Sequence, residues 1–191
     1  EAPQPVIDAV VKRAQHGIYG YTESPDPFYS SITNWMEKRH GWHVENEWID
    51  VSAGVVPAIS LSILAYSEPG DKVLLQSPVY FPFFSTIENN NRVIVNSRLK
   101  YENHQYKIDF EDLELKLKSG VKLFILCNPH NPVGRVWSRE ELEKIGELCI
   151  RHNVVIVSDE IHSDLIFGKN THIPIASISK ELANRTVTCM A

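Results

Sequence analysis

The sequence lacks several features that would mark a membrane or nucleic-acid-binding protein. No apolar run approaches the roughly 18 residues that a membrane-spanning helix needs, and no signal peptide is recognisable at the start. Lys and Arg form no block, and 19 basic against 24 acidic side chains give a net charge of -5. Neither a nucleic-acid surface nor an anionic-membrane surface is therefore expected. Small molecules or another protein subunit are the expected partners.

Cysteine is also scarce. Cys127, Cys149 and Cys189 are odd in number, lie in or beside apolar stretches and show no CxxC spacing. This pattern excludes a disulfide framework and argues against a zinc site. It predicts reduced thiols in the core of a cytoplasmic protein.

What the sequence does contain is ordinary globular composition, with 43% hydrophobic and 23% charged residues over a length of 191. Such a chain can bury a substantial core. Strand-like runs alternate with helical patterns, which predicts βαβ crossovers and an α/β fold with a mostly parallel sheet. The predicted strands lie near 72–76, 92–96, 122–127, 154–158 and 186–190, and the predicted helices at about 4–16, 28–40, 56–66, 79–89, 109–118 and 138–152. No internal repeat or linker divides residues 1–191.

Two polar segments follow buried-strand patterns and carry the main clue to function. Asn128–Gly134 and Ser158–His162 each come directly after a continuous apolar run, as expected where both faces of a sheet are covered. Open α/β sheets bind ligands just beyond the carboxyl ends of their strands. Asn131 and Asp159 are therefore predicted to face one crevice.

These two motifs, in this order, resemble the large domain of fold-type I pyridoxal 5'-phosphate (PLP) enzymes, the class I/II aminotransferase superfamily. The resemblance implies a three-layer α/β/α sandwich, PLP as cofactor and a small-molecule amino-acid substrate. By motif match, Asn131 hydrogen-bonds the cofactor's phenolic oxygen and Asp159 pairs with its protonated pyridine nitrogen. A protonated ring takes up the electrons of a substrate carbanion better, and a buried carboxylate keeps that proton bound. Taken singly, Asp159 would be read as a strand cap and Asn131 as a turn residue.

The resemblance also assigns the cofactor phosphate to the segment Ser52–Pro57. There the backbone amides of Gly54, Val55 and Val56 would cradle the phosphate at the start of a helix. Helix N-termini present free N–H groups and a positive dipole end to anions. A glycine before a helix can also be only a turn residue.

Aromatic residues follow the first predicted strand. Tyr80 matches the family position whose ring covers the pyridine, and stacking of this kind contributes about 1 kcal/mol beyond burial. Its neighbours Phe81, Phe83 and Phe84 are expected to fill the core.

A Gly-flanked segment near the start resembles the family's inter-subunit arm. Tyr21, with Tyr19 as second candidate, would give its hydroxyl to the phosphate of the neighbouring subunit. The implied functional unit is a homodimer. The same tyrosines could instead be ordinary interface or core residues.

His162 indicates the branch of the superfamily. Many aminotransferases carry Tyr three residues after the pyridine Asp, whereas His162 and Gly54–Ile59 resemble the carbon-sulfur lyases that include cystathionine beta-lyase. The implied reaction is an α,β-elimination that yields a thiol, pyruvate and ammonia, with His162 tuning the phenolic oxygen. A class I/II aminotransferase is the alternative, and a non-catalytic partner-binding or regulatory module is the alternative of another class. A metal site around Asp159 is disfavoured, because in a continuing strand Asp159 and His162 would point to opposite faces.

The family's Schiff-base lysine is not found at its expected place. It normally follows the next strand, and that strand ends at the end of this sequence. Lys180 imitates the motif but precedes that strand, so we expect it to be a solvated residue on a short helix. The carboxyl-terminal small domain is missing too. We expect residues 1–191 to be an incomplete large domain of an active parent, itself inactive, since loss of that lysine removes both the covalent anchor and the base.

Overall fold

A five-stranded, wholly parallel sheet forms the centre of the computed structural model, which describes residues 1–191. Its strands run in the spatial order β2-β1-β5-β6-β7. Strands β3 and β4 form a separate antiparallel hairpin. The strands are β1 Lys72–Leu75, β2 Val93–Asn96, β3 Lys100–Glu102, β4 Gln105–Lys107, β5 Val121–Cys127, β6 Val155–Asp159 and β7 Thr186–Cys189.

Seven α-helices connect or flank these strands. They are α1 Gln4–His16, α2 Asp26–His40, α3 Val55–Tyr66, α4 Pro82–Asn89, α5 Phe110–Leu117, α6 Arg139–Arg151 and α7 Lys180–Ala183. The six predicted helices and five predicted sheet strands are confirmed within a few residues at each end. Short 3-10 turns cover Asn46–Trp48 and Ile175–Ser177.

The sheet separates two hydrophobic layers, which confirms the predicted α/β/α sandwich. Side chains alternate between the two faces of a strand, and β5 illustrates this directly. Phe124 packs in the cluster that contains Leu113 of α5 and Ile145 of α6. Ile125 packs in the other cluster, with Ile59 of α3. Because both faces are covered, the strand is apolar throughout.

The hairpin β3–β4 was not predicted. Each strand has only three residues, and most of its side chains are exposed, so no apolar pattern marks it. The local signal is the connection Asn103–His104, where both residues have positive φ, 50° and 61°. Two-residue hairpin turns of this type require positive φ at both positions.

The prediction that all three phenylalanines after Tyr80 fill the core is wrong for Phe81. Its side chain is 78% exposed, whereas Phe83 is fully buried and Phe84 is half-buried. Phe83 lies within α4 and faces the sheet, where it meets the Tyr80 ring edge-on at 5.9 Å between centroids. Phe81 precedes the first residue of α4, and its exposed ring lies beside Tyr80, with centroids 5.7 Å apart.

Helix α1 contributes nothing to the core of this chain. It contains no buried residue, and its apolar side chains Val6, Ile7, Val10 and Val11 are all exposed. No helix in the structure combines the length and the apolar character required to cross a bilayer.

Candidate active site

A cavity of about 230 Å³ opens where β5 and β6 end. The start of α3 forms one wall, and the turns that follow the two strands form the others. The cavity is lined by Val55, Val56, Tyr80, Cys127, Asn131, Asp159, Ile161 and His162. Six of the residues predicted from sequence motifs therefore share one space, together with Cys127 and Ile161, which were not predicted.

Strand register brings Asn131 and Asp159 to this cavity. Cys127 at the end of β5 is the cross-strand partner of Asp159 at the end of β6. The chain then turns at Asn128, whose N–H donates to the Asp159 carbonyl at 2.9 Å. The Asn131 N–H in turn lies 3.4 Å from the Cys127 sulfur. Both candidate side chains thus lie on the sheet face that α3 covers.

Asp159 is a buried carboxylate without a cationic partner. Its side chain is 5% exposed, and its Oδ1 accepts a hydrogen bond of 3.2 Å from the Ile161 N–H. None of the ion pairs in the chain involves it. Burial raises the pKa of Asp159, against the opposing effects of the Ile161 N–H and of His162. A site of this kind favours a ligand that brings a positive charge or a proton.

The sequence argument that Asp159 and His162 would point to opposite faces is wrong. Strand β6 stops at Asp159, and the next residues form a turn in which the Ser163 N–H donates to the Glu160 carbonyl at 2.9 Å. This turn brings the half-buried His162 back to the cavity that Asp159 lines. That expectation relied on strand alternation, but the strand ends three residues before His162. No group of three or more potential ligands is arranged to hold a metal ion.

The start of α3 supplies unpaired N–H groups. Gly54 is the N-cap residue, with φ 133° and ψ 170°, and no side chain caps the helix. The first N–H groups of any helix lack intrahelical acceptors. Those of Val55 and Val56 are therefore free, on two residues that line the cavity. Together with the helix dipole they make this end attractive to an anion.

Gly54 directly precedes the lining residues Val55 and Val56 but does not line the cavity itself, and three further residues from the sequence analysis lie outside it. Tyr21 is fully exposed, and the Tyr19 hydroxyl donates locally to the Ala14 carbonyl at 2.5 Å. Lys180 is exposed at the start of α7, as predicted for a solvated charge. No lysine lines the cavity.

A second cavity, of about 300 Å³, lies between α2 and residues 43–47. Polar side chains that line it pair with one another, because His43 lies 3.0 Å from Glu45 and 3.6 Å from Glu37. It contains none of the strand-end residues, so the smaller cavity is the better candidate.

The comparison with protein families decides the assignment. A family model described as aminotransferase class I and II matches residues 2–190. The chain belongs to this aminotransferase family. The strand-end motifs and the α3 N-terminus therefore lie within a fold that its relatives share.

Several aminotransferase-family relatives are carbon-sulfur lyases by name. The chain is 50% identical over its whole length to cystathionine beta-lyase PatB of Bacillus subtilis, of which it covers 49%. It is 33% identical over 177 residues to protein MalY of Escherichia coli, covering 92% of this chain and 45% of MalY. The chain thus spans about half the length of the curated relatives it matches.

Solved structures of the family agree with the fold. Cystalysin from Treponema denticola, which contains a PLP cofactor, matches with a TM-score of 0.94 and 37% identity, over 100% of this chain and 49% of cystalysin. The PLP-bound C-S lyase from Staphylococcus hominis matches with a TM-score of 0.92 and 34% identity, over 99% of this chain and 50% of that one.

Cys127 and Ile161 are the cavity residues that sequence reasoning missed. Cys127 was expected only as a core thiol, and all three cysteines are indeed free and buried. Burial raises its pKa to about 12, so the group is a neutral thiol at neutral pH. The sequence feature that could have placed Cys127 at the cavity is its position two residues after Ile125, on the same face of β5.

Proposed function

We propose that this chain is the PLP-binding half of a carbon-sulfur beta-lyase that acts on cystathionine-like amino acids. The reaction would be an α,β-elimination giving a thiol, pyruvate and ammonia. The observation that carries the proposal is one cavity containing Asp159, Asn131, His162 and the start of α3, in a chain 50% identical to a cystathionine beta-lyase.

The donor set fits PLP on its own chemistry. A phosphate needs N–H donors, and the uncapped start of α3 offers those of Val55 and Val56. A pyridine nitrogen that keeps its proton needs an acidic partner. Asp159 can be that partner, because it is a buried carboxylate that has no cationic group of the chain beside it. Asn131 and His162 supply hydrogen-bonding groups, and the half-buried Tyr80 supplies an aromatic surface.

Each residue would then have a distinct task. When bound, PLP takes up the electrons released at the α-carbon of an amino acid. Asp159 would hold a proton on the ring nitrogen, which strengthens that electron demand. Asn131 would donate its side-chain N–H to the phenolic oxygen, with His162 tuning the same oxygen. Tyr80 would cover one ring face and exclude water.

The base that removes the α-proton is not among the residues that line the cavity. We place the lysine that would carry the cofactor, and the small domain with the group that recognises the substrate carboxylate, in the part of the relatives that this chain does not span. Residues 1–191 would therefore be the incomplete large domain. On its own this chain would bind PLP without turning substrate over.

We infer that the functional unit is a homodimer. Helix α1 exposes Val6, Ile7, Val10 and Val11, although apolar side chains of this size are normally buried. Tyr21, which follows α1, is fully exposed and makes no contact with the cavity of its own chain. Both observations support an arm that packs on a second subunit and gives the Tyr21 hydroxyl to the phosphate there.

We also assign the protein to the cytoplasm. Its three cysteines are free and buried, with no disulfide to require an oxidising compartment. Burial raises the pKa of Cys149 to about 12, which keeps this thiol protonated and inert.

A class I/II aminotransferase is the second candidate. The asparagine--oxo-acid transaminase of Streptococcus mutans is 29% identical, and a PLP-bound putative aminotransferase of Clostridium difficile is 53% identical over the whole chain. His162 stands where many aminotransferases carry Tyr, and this difference favours the lyase. A non-catalytic module remains the candidate of another class.

Two measurements test the proposal. Titration of PLP into the protein, followed by its absorbance and by quenching of Trp and Tyr fluorescence, should saturate. Failure to bind PLP would contradict the proposal. Pyruvate release from cystathionine by the full-length parent, without added keto acid, separates the candidates: a lyase releases it, an aminotransferase needs the keto acid, and a non-catalytic module does neither.

A further inference from the structure

Glu160 is a fully buried carboxylate that faces away from the cavity. It binds Ser158, which lies on the opposite face of β6 from Asp159, and it does not line the cavity. The Ser158 hydroxyl donates to its Oε1 at 2.8 Å, and the Ile175 N–H donates to the same oxygen at 3.3 Å. Its Oε2 lies 2.7 Å from Nε2 of the equally buried His172. Both oxygens are thus satisfied, as a buried carboxylate requires.

These contacts close a loop that carries His162. We call residues 161–174 the cavity loop. No main-chain hydrogen bond involves residues 166–172. The Glu160 carboxylate therefore fixes the base of the loop, since it binds β6 on one side and residues 172 and 175 on the other.

A second set of contacts holds the other end of the loop to α2. Asp164 Oδ2 accepts a hydrogen bond of 3.0 Å from Trp35 Nε1. Asp164 Oδ1 lies 3.5 Å from Arg39 Nε and 3.4 Å from His40 Nε2. Asp164 is only two residues from His162, so these contacts restrain the turn that presents the imidazole to the cavity.

The two sets of contacts meet at a pair of histidines. The rings of His40 and His172 pack edge to face, with centroids 5.3 Å apart and an interplanar angle of 86°. Burial and the neighbouring His172 lower the pKa of His40, while Asp164 and Glu160 oppose that change. Helix α2, the cavity loop and the end of β6 therefore form one packed unit.

We propose that Glu160, His172 and Asp164 are positioning residues that hold His162 against the cavity. The Glu160–His172 pair fixes the loop on the sheet, and Asp164 fixes it on α2. The identity of the ligand that His162 meets rests on the proposed function, but the restraint on His162 does not. The test therefore reads His162 directly, before any cofactor is added.

Trp35→Phe is the sharpest variant. It removes the N–H that Asp164 accepts and keeps an aromatic ring on a residue that is 51% exposed, so the fold should survive. Asp164→Asn removes the charge that faces Arg39 and His40. The matched control is Asp112→Asn, which removes one carboxylate from the partly exposed Asp112–Lys116 pair of α5.

The measurement is the imidazole NMR signal of His162, assigned with His162→Gln. Trp35→Phe and Asp164→Asn should each move this signal, and the control should not. With PLP, Trp35→Phe should weaken binding by about fivefold, the upper range for one partly exposed polar pair.

Unchanged His162 signals in both Trp35→Phe and Asp164→Asn would overturn the proposal. Altered His162 signals in the variants, combined with a wild-type protein that fails to bind PLP, would support the positioning role and reject the cofactor. Glu160→Gln tests the contacts at the base of the cavity loop. Thermal melting of this variant shows whether it is folded. A shifted His162 signal in a folded Glu160→Gln protein supports the role of Glu160, and an unshifted one removes Glu160 from the proposal.

Discussion

Asp159 and Cys127 are cross-strand partners at the ends of β6 and β5, and both line the candidate cavity. On the other side of Asp159, its partner on β7 is Cys189. Burial raises the pKa of both thiols to about 12, so each is neutral at neutral pH. The carboxylate is therefore flanked by neutral groups, and without a ligand its charge is poorly compensated.

The first prediction concerns the stability of the protein without ligand. Burial raises the pKa of Asp159 above its ordinary value, so stability falls as the pH rises from the ordinary pKa to the raised one, and the full cost of the charge is present above it. Asp159→Asn keeps an oxygen for the Ile161 N–H and removes the charge. We expect the free energy of unfolding at pH 7 to rise by about 1 kcal/mol, while PLP binding is lost.

Thermal melting without and with PLP measures both effects. The unliganded variant should melt above the wild type, and added PLP should stabilise only the wild type. A variant that melts lower than the wild type without PLP would show that the carboxylate is compensated by groups of the chain itself.

The second prediction concerns pH. Burial lowers the pKa of His130 to about 4, while the Pro78 carbonyl, 2.9 Å from its Nε2, acts in the opposite direction. The unfolded chain binds this proton more readily, so stability is complete above the ordinary histidine pKa and declines as the pH falls from about 6.5 to 4. The difference corresponds to about 3 kcal/mol at the acid end.

Urea unfolding at several pH values measures this decline. His130→Gln keeps an N–H for the Pro78 carbonyl and should flatten the decline between those pH values. His16→Gln, which replaces an exposed imidazole on α1, is the control and should retain the wild-type slope. An equally steep decline in both variants would assign the acid sensitivity to other groups.

Sequence patterns predict the parts of the fold that leave a local signal in neighbouring residues. Strands β5 and β6 were recognised because both of their faces are covered, which leaves an uninterrupted apolar run with a polar residue at its end. Their ends placed Asn131 and Asp159 on one cavity. The direction of His162 was not predictable in this way, because it depends on where β6 stops and a turn begins.

Long-range polar contacts were also beyond the sequence patterns. Glu160 and His172 are twelve residues apart along a segment without regular structure, so no periodicity relates them. Phe81 and Phe83 are the same type of residue in the same aromatic segment, yet only Phe83 faces the sheet. Such differences arise from the exact start of α4, and helix ends are the least predictable feature of a sequence.

The third prediction concerns the N-terminus of α6. The Ser138 hydroxyl accepts a hydrogen bond of 3.2 Å from the Glu141 N–H, and Glu141 Oε2 accepts one of 2.8 Å from the Ser138 N–H. These two reciprocal hydrogen bonds form a capping box. Ser138→Ala should lower the free energy of unfolding by about 1 kcal/mol.

Glu141→Ala should cost more than Ser138→Ala, because both Glu141 oxygens also accept from Arg135 at 2.7 Å. That pair, in which the single nitrogen Nη2 of Arg135 donates to both oxygens, is half-buried and lies between the Asn131 turn and α6. Denaturant midpoints of the two variants provide the comparison. Equal losses would mean that the Arg135 pair adds nothing to the cap.

The last prediction separates the phosphate end of the site from the ring end. Gly54 has φ 133°, a conformation that residues with a Cβ rarely adopt, although a Cβ there would meet only Pro57 Cδ, at 3.8 Å. Gly54→Ala therefore strains the backbone rather than causing a clash, with a cost of about 1–3 kcal/mol. Gly20→Ala is the control, since Gly20 has no positive φ and no neighbouring atom within 4 Å of an added Cβ.

Relief of that strain would rotate the peptide that begins α3 and move the N–H groups of Val55 and Val56. We therefore expect Gly54→Ala to weaken binding of PLP more than binding of pyridoxal, which lacks the phosphate. Fluorescence titrations with both compounds give this ratio, and Gly20→Ala should leave it unchanged. Equal weakening of both compounds would mean that the start of α3 does not hold the phosphate, because a phosphate-binding helix end has no means of affecting pyridoxal to the same degree.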